Sequence, residues 1–319
     1  MKKIAVLTSG GDSPGMNACI ANLFTLCNRK NITLLGVRKG YVGLVENDFI
    51  TLSQEHINNV YNLGGSFLKT GRSEEFLKES GKQKAIKNLK EQGIEVLVVI
   101  GGDGSFRGAQ ELSEKGIKII CLPGTIDNDL DYTEKSLGFD TAVNNCVSAI
   151  DKIKDTMLSN NRGVVVEVMG RRSGDIALYT ATASNADAVV VKEVPGSKDN
   201  ILEKVKLAIS RGVESPTVVV GEYILDVNVL ASELTQSTDK LFKPMILGYI
   251  QRGGNPTVFD RNYAMELAVK TIELIEGGIF NRAIGLKEGK IYDTELKTVL
   301  FKEDNFNYEL YNLFQKLNS

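Results

Sequence analysis

Short apolar segments rich in β-branched residues recur along this chain, and each is followed by turn residues and then by a segment with helical periodicity. Some are apolar throughout, as in Val96–Ile100, which is typical of strands buried on both faces of a parallel sheet. Strands are predicted at Ile4–Thr8, Leu34–Arg38, Val96–Ile100, Lys118–Leu122, Val164–Val168, Ala188–Lys192, Thr217–Gly221 and Met245–Tyr249. Their alternation with helices predicts an α/β fold, in which helices cover both faces of mostly parallel sheets as three α/β/α layers.

The segments between these strands carry the spacing of one helical face. Helices are predicted around Met16–Cys27 and Cys146–Met157, and for residues 83–92, 105–115, 200–211 and 258–276. At about 150 residues per domain, a chain of 319 residues has room for one large or two ordinary domains. No Pro- or Ser-rich linker separates the segments, so two domains would be connected by several chain crossings.

Composition restricts the chemistry. The 38 basic and 40 acidic residues give a net charge of −2. The chain therefore has no excess of positive charge that would indicate binding to nucleic acid or a membrane surface. No apolar run approaches ~18 residues and Ile4–Leu7 is too short for a signal peptide, so we expect a cytoplasmic protein. The single histidine, His56, argues against multi-histidine metal sites and a Ser-His-Asp mechanism. The four cysteines lack CxxC spacing, and we expect buried thiols.

Glycine-rich turns follow two of the predicted strands. Ile4–Thr8 leads into Ser9–Gly15, and Val96–Ile100 leads into Gly101–Ser105. Such strand-to-helix turns let backbone amides approach an anion closely, so two of them in one sheet indicate an extended phosphate ligand such as a nucleotide. Neither turn is a Walker A or G-x-G-x-x-G sequence. Asp103 between glycines suggests a bridging Mg²⁺ ion, and the alternative is a pair of tight turns without a ligand.

The strand Lys118–Leu122 leads into the string Pro123-Gly124-Thr125-Ile126-Asp127-Asn128-Asp129. One of its carboxylates can deprotonate an attacking hydroxyl, the other can orient the substrate or an ion, and Thr125 can bind a transferring phosphoryl group. With one histidine in the chain, a carboxylate base is strongly favoured. An Asx-rich turn without catalytic function is the structural alternative.

Arginines near glycines follow three further segments. Arg72 follows two glycine-containing turns, Arg171 lies within Gly170–Gly174, and Arg252 lies within Gln251–Gly254. Arginine in such a position is suited to clamp an anion. A solvated surface arginine is the alternative for each one alone, and three together favour anion binding.

Together these motifs resemble bacterial 6-phosphofructokinases. The resemblance runs from Leu7–Ala18 through Ile100–Ser105, Pro123–Asp129 and Val166–Arg171 to Gly248–Gly254, and it covers about the first 260 residues. It implies Mg²⁺-assisted transfer of the γ-phosphoryl group of ATP to the 1-hydroxyl of fructose 6-phosphate, the committed step of glycolysis. It also implies a homotetramer whose active sites are shared between subunits.

The resemblance implies two phosphofructokinase-type α/β domains. The expected ATP-binding domain comprises residues 1–138 and 252–300, and the expected fructose 6-phosphate-binding domain comprises residues 139–251 and 301–319. It also implies a role for each matching residue. ATP would be held by Gly11, Arg72, Gly102, Asp103, Gly104 and Ser105, with Asp103 on Mg²⁺. The catalytic group would be Asp127 as general base with Thr125, Asp129, Arg72 and Arg171. The sugar phosphate would be contacted by Thr125, Asp127, Met169, Gly170, Arg171, Glu222, Lys243, Tyr249 and Arg252, with Arg162 supplied by an adjacent subunit.

Two glycines bear on the phosphoryl donor. In the similar pyrophosphate-dependent enzymes, the positions of Gly104 and Gly124 are typically Asp and Lys. An Asp side chain at position 104 would crowd the space through which the α-phosphate and nucleoside of ATP pass, and glycine leaves that space open. We therefore expect ATP as donor.

The chain also departs from the family pattern. Lys243 stands where the family usually has Arg, and Tyr249 stands where it usually has His, so we expect weaker binding of the 6-phosphate. At the positions that line the family's effector cleft, only two of six residues are basic, and we expect weak or absent allosteric control. These positions are Ala21, Thr25, Gln54, Lys154, Arg211 and Val213.

Three alternatives remain open from the sequence. One is a pyrophosphate-dependent phosphofructokinase, and another is a different kinase with a Gly-Gly-Asp-Gly turn, such as the NAD or lipid kinases. The third is a non-catalytic sensor of nucleotide or sugar phosphate with the same fold, although such a relative should have lost Asp103 or Asp127.

Overall fold

The computed structural model describes residues 2–300 and 306–319. The described residues form two compact units. The first consists of those within Met1–Ile126, Leu130–Thr141 and Arg252–Asp304, and the second of those within Asp127–Asp129, Ala142–Gln251 and Asn305–Ser319.

The first unit is built on a seven-stranded sheet with the order β11-β10-β5-β4-β1-β2-β3. Its strands are β1 (Lys3–Thr8), β2 (Thr33–Val37), β3 (Phe49–Thr51), β4 (Val96–Gly101), β5 (Lys118–Pro123), β10 (Arg282–Lys287) and β11 (Lys290–Glu295). Its helices are α1 (Met16–Arg29), α2 (Tyr41–Glu46), α3 (Gln54–Val60), α4 (Glu79–Glu91), α5 (Asp103–Glu114) and α10 (Val258–Glu276). The pairs at the two edges, β2–β3 and β10–β11, are antiparallel, and the other pairs are parallel.

Alternating residues of the first sheet face two separate cores. On one face, Val96, Val98 and Ile100 pack with apolar residues of α1 and α10. On the other, Leu97 and Val99 pack with residues of α2, α4 and α5. All five of these strand side chains are buried. The expectation of three layers with strands buried on both faces is therefore confirmed for this unit.

The second unit contains a parallel sheet with the order β7-β8-β6-β9. Its strands are β6 (Gly163–Val168), β7 (Ala188–Val190), β8 (Thr217–Gly221) and β9 (Phe242–Ile246). Its helices are α7 (Asp175–Ala183), α8 (Ile201–Ser210), α9 (Val227–Ser237) and α11 (Tyr308–Leu317), and α6 (Phe139–Ser159) enters it from the first unit. Residues of β6, β7 and β8 share a core with α8 and α9.

The predicted strand Met245–Tyr249 is wrong by several residues, because the strand runs over Phe242–Ile246 and Gly248–Arg252 forms a 3-10 helix. Pro244 lies inside β9, where a proline argues against a central strand. β9 is the edge strand, so a residue without an N–H group is tolerated there. No prediction was made for β3, β10, β11, α2, α3, α7, α9 and α11.

The compact units share the predicted boundary between residues 251 and 252, but not the one at residue 138. The first unit extends to Thr141, and Asp127–Asp129 belongs to the second unit. Residues 301–305 of the second predicted domain lie outside the described residues. None of the described helices combines the length and apolar character needed to cross a bilayer.

The four cysteines are buried free thiols, as the sequence indicated. Burial raises the pKa of Cys19, Cys27 and Cys146 to about 12. At neutral pH these thiols are protonated and unreactive.

Candidate active site

The two glycine-rich turns lie side by side at the carboxyl edge of the first sheet. β1 and β4 are parallel neighbours with Thr8 opposite Ile100, and the amide of Ser9 donates to the carbonyl of Ile100 at 3.0 Å. The turn after β1 therefore begins beside the turn after β4. This is the carboxyl-edge arrangement that binds ligands in open α/β sheets.

The helix α5 begins directly after β4 at Asp103, with Gly102 as its N-cap. No side chain caps this end, and the amide of Ser105 donates to the carbonyl of Gly102 at 2.9 Å. The amides before Ser105 and the positive end of the helix dipole are suited to an anion. A Cβ atom built on Gly104 would meet nothing within 4 Å. The predicted phosphate-binding residue Gly104 thus borders open space at a helix N-terminus that Gly102 and Asp103 begin.

Asp103 forms an ion pair with Arg107 one helical turn later, at 3.2 Å. Among the described residues, no group of three or more His, Cys, Asp or Glu side chains could enclose a metal ion. A Mg²⁺ ion commonly takes one or two protein carboxylates and completes its shell with substrate phosphates and water. Asp103 beside free helix amides fits an ion that arrives with a nucleotide.

Gly124 has a structural function of its own. A Cβ there would lie 2.7 Å from the Ile100 side chain and 3.0 Å from the Met16 side chain. Its amide donates to the carbonyl of Gly101 at 3.0 Å, which fixes the end of β5 against the end of β4. The next residue, Thr125, is buried, and its Cβ lies 3.6 Å from a Cβ built on Gly102. Thr125 is therefore next to the N-terminus of α5.

Arg252 lies in the first unit, against the turn after β1. Its Nη2 atom donates to the carbonyl of Asp12 at 2.8 Å, and its Nε atom lies 3.4 Å from Oδ1 of the same residue. The guanidinium covers Gly11 so closely that a Cβ there would overlap it. The resemblance assigned Gly11 to ATP and Arg252 to the sugar phosphate. The contact of Arg252 with Asp12 was not predicted. Contacts between residues 240 positions apart leave no local signal.

The loop that leads to Arg72 is fixed to the same edge. The hydroxyl of Thr8 bonds the hydroxyl of Ser66 at 2.7 Å and the carbonyl of Lys69 at 3.0 Å. Asn17 of α1 receives the amide of Phe67 at 2.9 Å. Arg72 itself is exposed. The sequence did not single out Asn17 as the residue that holds this loop.

Asp127 and Asn128 belong to the second unit and are 5% and 3% exposed. Asn128 has a left-handed backbone with φ of 52°, which asparagine tolerates. Its Nδ2 atom donates to Oδ2 of the buried Asp175 at 2.7 Å. Asp129 is half-buried. Asn128 is thus anchored to the first residue of α7.

A pocket of about 200 Å³ opens at the carboxyl end of β6. The predicted residues Met169, Glu222 and Tyr249 line it. The other lining residues are Glu167, Val168, Tyr223, Ile246, Gly248 and Gln251. Oε1 of Glu222 accepts the amides of Gly170 at 3.1 Å and Arg171 at 2.7 Å, which keeps the turn after β6 in place.

Two carboxylates, Glu167 and Glu222, face this pocket. Burial, followed by the nearby charges of Glu222 and Asp226, raises the pKa of Glu167. Carboxylates accept hydrogen bonds from hydroxyl groups and repel phosphates. The pocket wall is thus suited to the hydroxyls of a sugar ring.

Gln251 is wholly buried and joins two walls of this pocket. Its Oε1 atom accepts the amide of Met169 at 3.0 Å and the thiol of Cys146 at 3.1 Å, and its Nε2 atom donates to the carbonyl of Gly248 at 2.9 Å. Gln251 begins the predicted motif Gln251–Gly254, but no role was predicted for it.

Arg162 and Lys243 lie at the amino end of β6 in the second sheet, opposite the end where the pocket opens. Arg162 precedes β6, and Lys243 pairs with Val164 at the start of that strand. At about 3.3 Å per residue, Val164 and Met169 are about 16 Å apart. Within one chain, the structure does not bring these two cations to the pocket.

The single histidine is a helix cap. The amide of Ser53 donates to Nδ1 of His56 at 3.2 Å, and the hydroxyl of Ser53 accepts the amide of His56 at 3.4 Å, which is a capping box at the start of α3. His56 belongs to the first unit, is exposed, and lies on none of the site loops described above.

The chain is similar in sequence to known phosphofructokinases. The family model described as phosphofructokinase matches residues 3–275. The chain is 43% identical over 313 residues to a protein of Clostridium botulinum named ATP-dependent 6-phosphofructokinase, covering 98% of each chain. It is 42% identical over 318 residues to ATP-dependent 6-phosphofructokinase 1 of Clostridium perfringens, covering 100% of each.

Solved phosphofructokinases of two yeasts share the fold. The Saccharomyces cerevisiae structure matches 98% of this chain with a TM-score of 0.89 and 31% identity, and the Pichia pastoris structure, described as in the T-state, matches 99% with a TM-score of 0.93 and 27% identity. The chain spans 50% and 39% of those longer chains. A match to the family model over residues 3–275 and relatives above 40% identity over nearly the whole chain settle the relationship: the chain belongs to the phosphofructokinase family.

Proposed function

We propose that the chain is an ATP-dependent 6-phosphofructokinase, which converts fructose 6-phosphate and ATP into fructose 1,6-bisphosphate and ADP. The observation that carries the proposal is the 43% identity, over 98% of both chains, to a relative with that name. The open helix N-terminus in the first unit and the sugar-sized acidic pocket in the second support it.

The first unit would hold the nucleotide. The uncapped amides at the start of α5 and the turn at Gly11 are suited to its phosphates, and the open space at Gly104 leaves room for the rest of ATP. Asp103 would hold Mg²⁺, and the bound ion neutralises charge on the phosphates. Arg72 is assigned to stabilise the negative charge that develops on the phosphates during phosphoryl transfer.

Asp127 is assigned as the general base that accepts the proton of the 1-hydroxyl as that oxygen attacks phosphorus. Its place next to Asn128, which bonds Asp175, supports a fixed orientation for it. Thr125 and Asp129 would bind the transferring group and orient the sugar. Catalysis would then arise from positioning and electrostatics, without a covalent intermediate.

The sugar ring would occupy the pocket lined by Met169, Glu222 and Tyr249. We assign the 6-phosphate to Arg162 and Lys243 of a neighbouring subunit. The separation of these residues from the pocket of their own chain, and the two carboxylates in that pocket, support this assignment. A homotetramer with shared active sites would provide the arrangement. Sedimentation with and without fructose 6-phosphate tests the assembly.

An assay for fructose 1,6-bisphosphate tests the activity. Wild type should turn over with ATP, and Asp127→Ser should lose at least about a hundredfold in kcat, the lower end for a general base. Asp155→Ser removes an exposed carboxylate of α6 and is the matched control, with full activity expected. An inactive wild type would refute the proposal, and equal or better turnover with pyrophosphate would replace ATP as the donor.

A further inference from the structure

Asp260 is a carboxylate with no exposed surface, in the first turn of α10. Its Oδ1 atom accepts the amide of Gly138 at 2.8 Å, and its Oδ2 atom accepts the amide of Thr141 at 2.9 Å and the hydroxyl of Thr141 at 2.5 Å. Three donors from one short segment, 119 or more positions away, therefore converge on this side chain.

The segment that Asp260 holds is tied directly to the start of the string Pro123–Asp129. The amide of Leu137 donates to the carbonyl of Pro123 at 2.8 Å, and the hydroxyl of Ser136 donates to the carbonyl of Thr125 at 2.7 Å. Gly138 follows immediately. A displacement of Gly138 would thus be passed through two hydrogen bonds to the residues before Asp127.

The chemistry of this contact requires a carboxylate. Both oxygens of Asp260 accept main-chain amides, and an asparagine would turn an NH₂ group toward one of those donors. Burial raises the pKa of Asp260 to about 6, and Asp140 adds a smaller effect in the same direction. A buried carboxylate is costly without an opposite charge, and the hydrogen bonds from Gly138 and Thr141 offset that cost.

We propose that Asp260 is a positioning residue for phosphoryl transfer: through Gly138 and Thr141 it fixes Pro123–Thr125, and thereby the reacting end of the string at Asp127. This inference rests on the proposed function. It assigns Asp260 no contact with substrate. It predicts that loosening the Asp260 contact lowers kcat more than it raises KM, because most of the residues assigned to substrate binding lie outside this string.

The test uses Asp260→Asn with the matched pair Thr141→Val and Thr141→Ser in the full chain. Circular dichroism first establishes that each variant is folded at the assay temperature. Steady-state kinetics should give a kcat loss of up to about a hundredfold for Asp260→Asn, the effect of a misplacement near 1 Å. Thr141→Val should lose less, and KM for ATP and fructose 6-phosphate should stay near wild type in both.

Thr141→Ser keeps the hydroxyl and should retain a kcat near that of wild type. If Asp260→Asn does not fold, the Thr141 pair decides. Full kcat in Thr141→Val, or an equal loss in Thr141→Ser, would overturn the role of Asp260 in an active enzyme. A wild-type chain without turnover would instead refute the proposed function, so the two failures are distinguishable.

Discussion

The guanidinium group of Arg252 covers Gly11, and its Nη2 atom donates to the carbonyl of Asp12 at 2.8 Å. Gly11→Ala should displace the guanidinium and leave the fold intact, because the obstacle is the end of a flexible side chain. Loss of one charge-assisted hydrogen bond should lower kcat/KM by about tenfold or more.

Steady-state kinetics of Gly11→Ala checks this prediction. Gly196→Ala is the control, since a Cβ on Gly196 would meet only Oδ2 of Asp199, at 3.7 Å. An unchanged kcat/KM in Gly11→Ala would show that the position of Arg252 has no part in the reaction.

The turns that carry the candidate ligand-binding and catalytic residues were predictable, because each is a continuous stretch of sequence. The turns after β1, β4 and β5 follow apolar strands directly, and parallel strands bring their carboxyl ends to one edge. The side chains that fix these turns were not predictable. Asp260 and Gln251 contact residues 82 to 122 positions away, and their function depends on tertiary packing that no local pattern encodes.

Gly104 is the position at which the choice of donor can be tested without damage to the core. Gly104→Asp places a second carboxylate in open space beside Asp103. It should raise KM for ATP by more than about tenfold, because a like charge next to a phosphate site costs more than 1.4 kcal/mol at short range. KM for fructose 6-phosphate should change less.

Gly104→Asn has the same size without the charge and separates the two effects. The exchange of Gly124 for Lys would be uninformative, because a Cβ there meets Ile100 and Met16. If Gly104→Asp binds ATP as wild type does, the space beside α5 is not where the nucleotide passes.

Lys243→Arg tests whether Lys243 binds the 6-phosphate of fructose 6-phosphate. Arginine offers a planar, two-pronged donor where lysine offers a point charge. We expect KM for fructose 6-phosphate to fall about fivefold, as one added charge-assisted hydrogen bond of about 1 kcal/mol would give. kcat should be unchanged.

Lys206→Arg, on an exposed face of α8, is the control for a general effect of arginine. Should KM for fructose 6-phosphate stay the same in Lys243→Arg, then Lys243 does not bind the 6-phosphate.

The two basic residues at the effector positions already have partners in their own chain. Nζ of Lys154 donates to the carbonyls of Ser184 at 2.5 Å and Asn185 at 3.3 Å, and burial lowers its pKa. Nη2 of Arg211 donates to Ser319 at 2.8 Å. A diphosphate would have to break these contacts.

We therefore expect calorimetry with ADP to detect no second site once the active site is filled with a non-hydrolysable ATP analogue. The same titration with phosphoenolpyruvate should also be silent. A saturable heat of ADP binding under these conditions would contradict the prediction of weak allosteric control.

We expect substitutions in the cap formed by Ser53 and His56 to affect the stability of the fold at most, and not catalysis. Glutamine suits the third helical position of a capping box, so His56→Gln should keep the start of α3 and leave kcat unchanged. Ser53→Ala removes the capping hydroxyl and should lower the free energy of unfolding by about 1 kcal/mol, again without an effect on kcat. Denaturant titration measures the free energy of unfolding, and the assay for fructose 1,6-bisphosphate measures kcat.

The pH dependence of kcat should be the same in wild type and His56→Gln, because this reaction is proposed to use carboxylates and no imidazole. A shifted pH profile in His56→Gln would return the histidine to the mechanism.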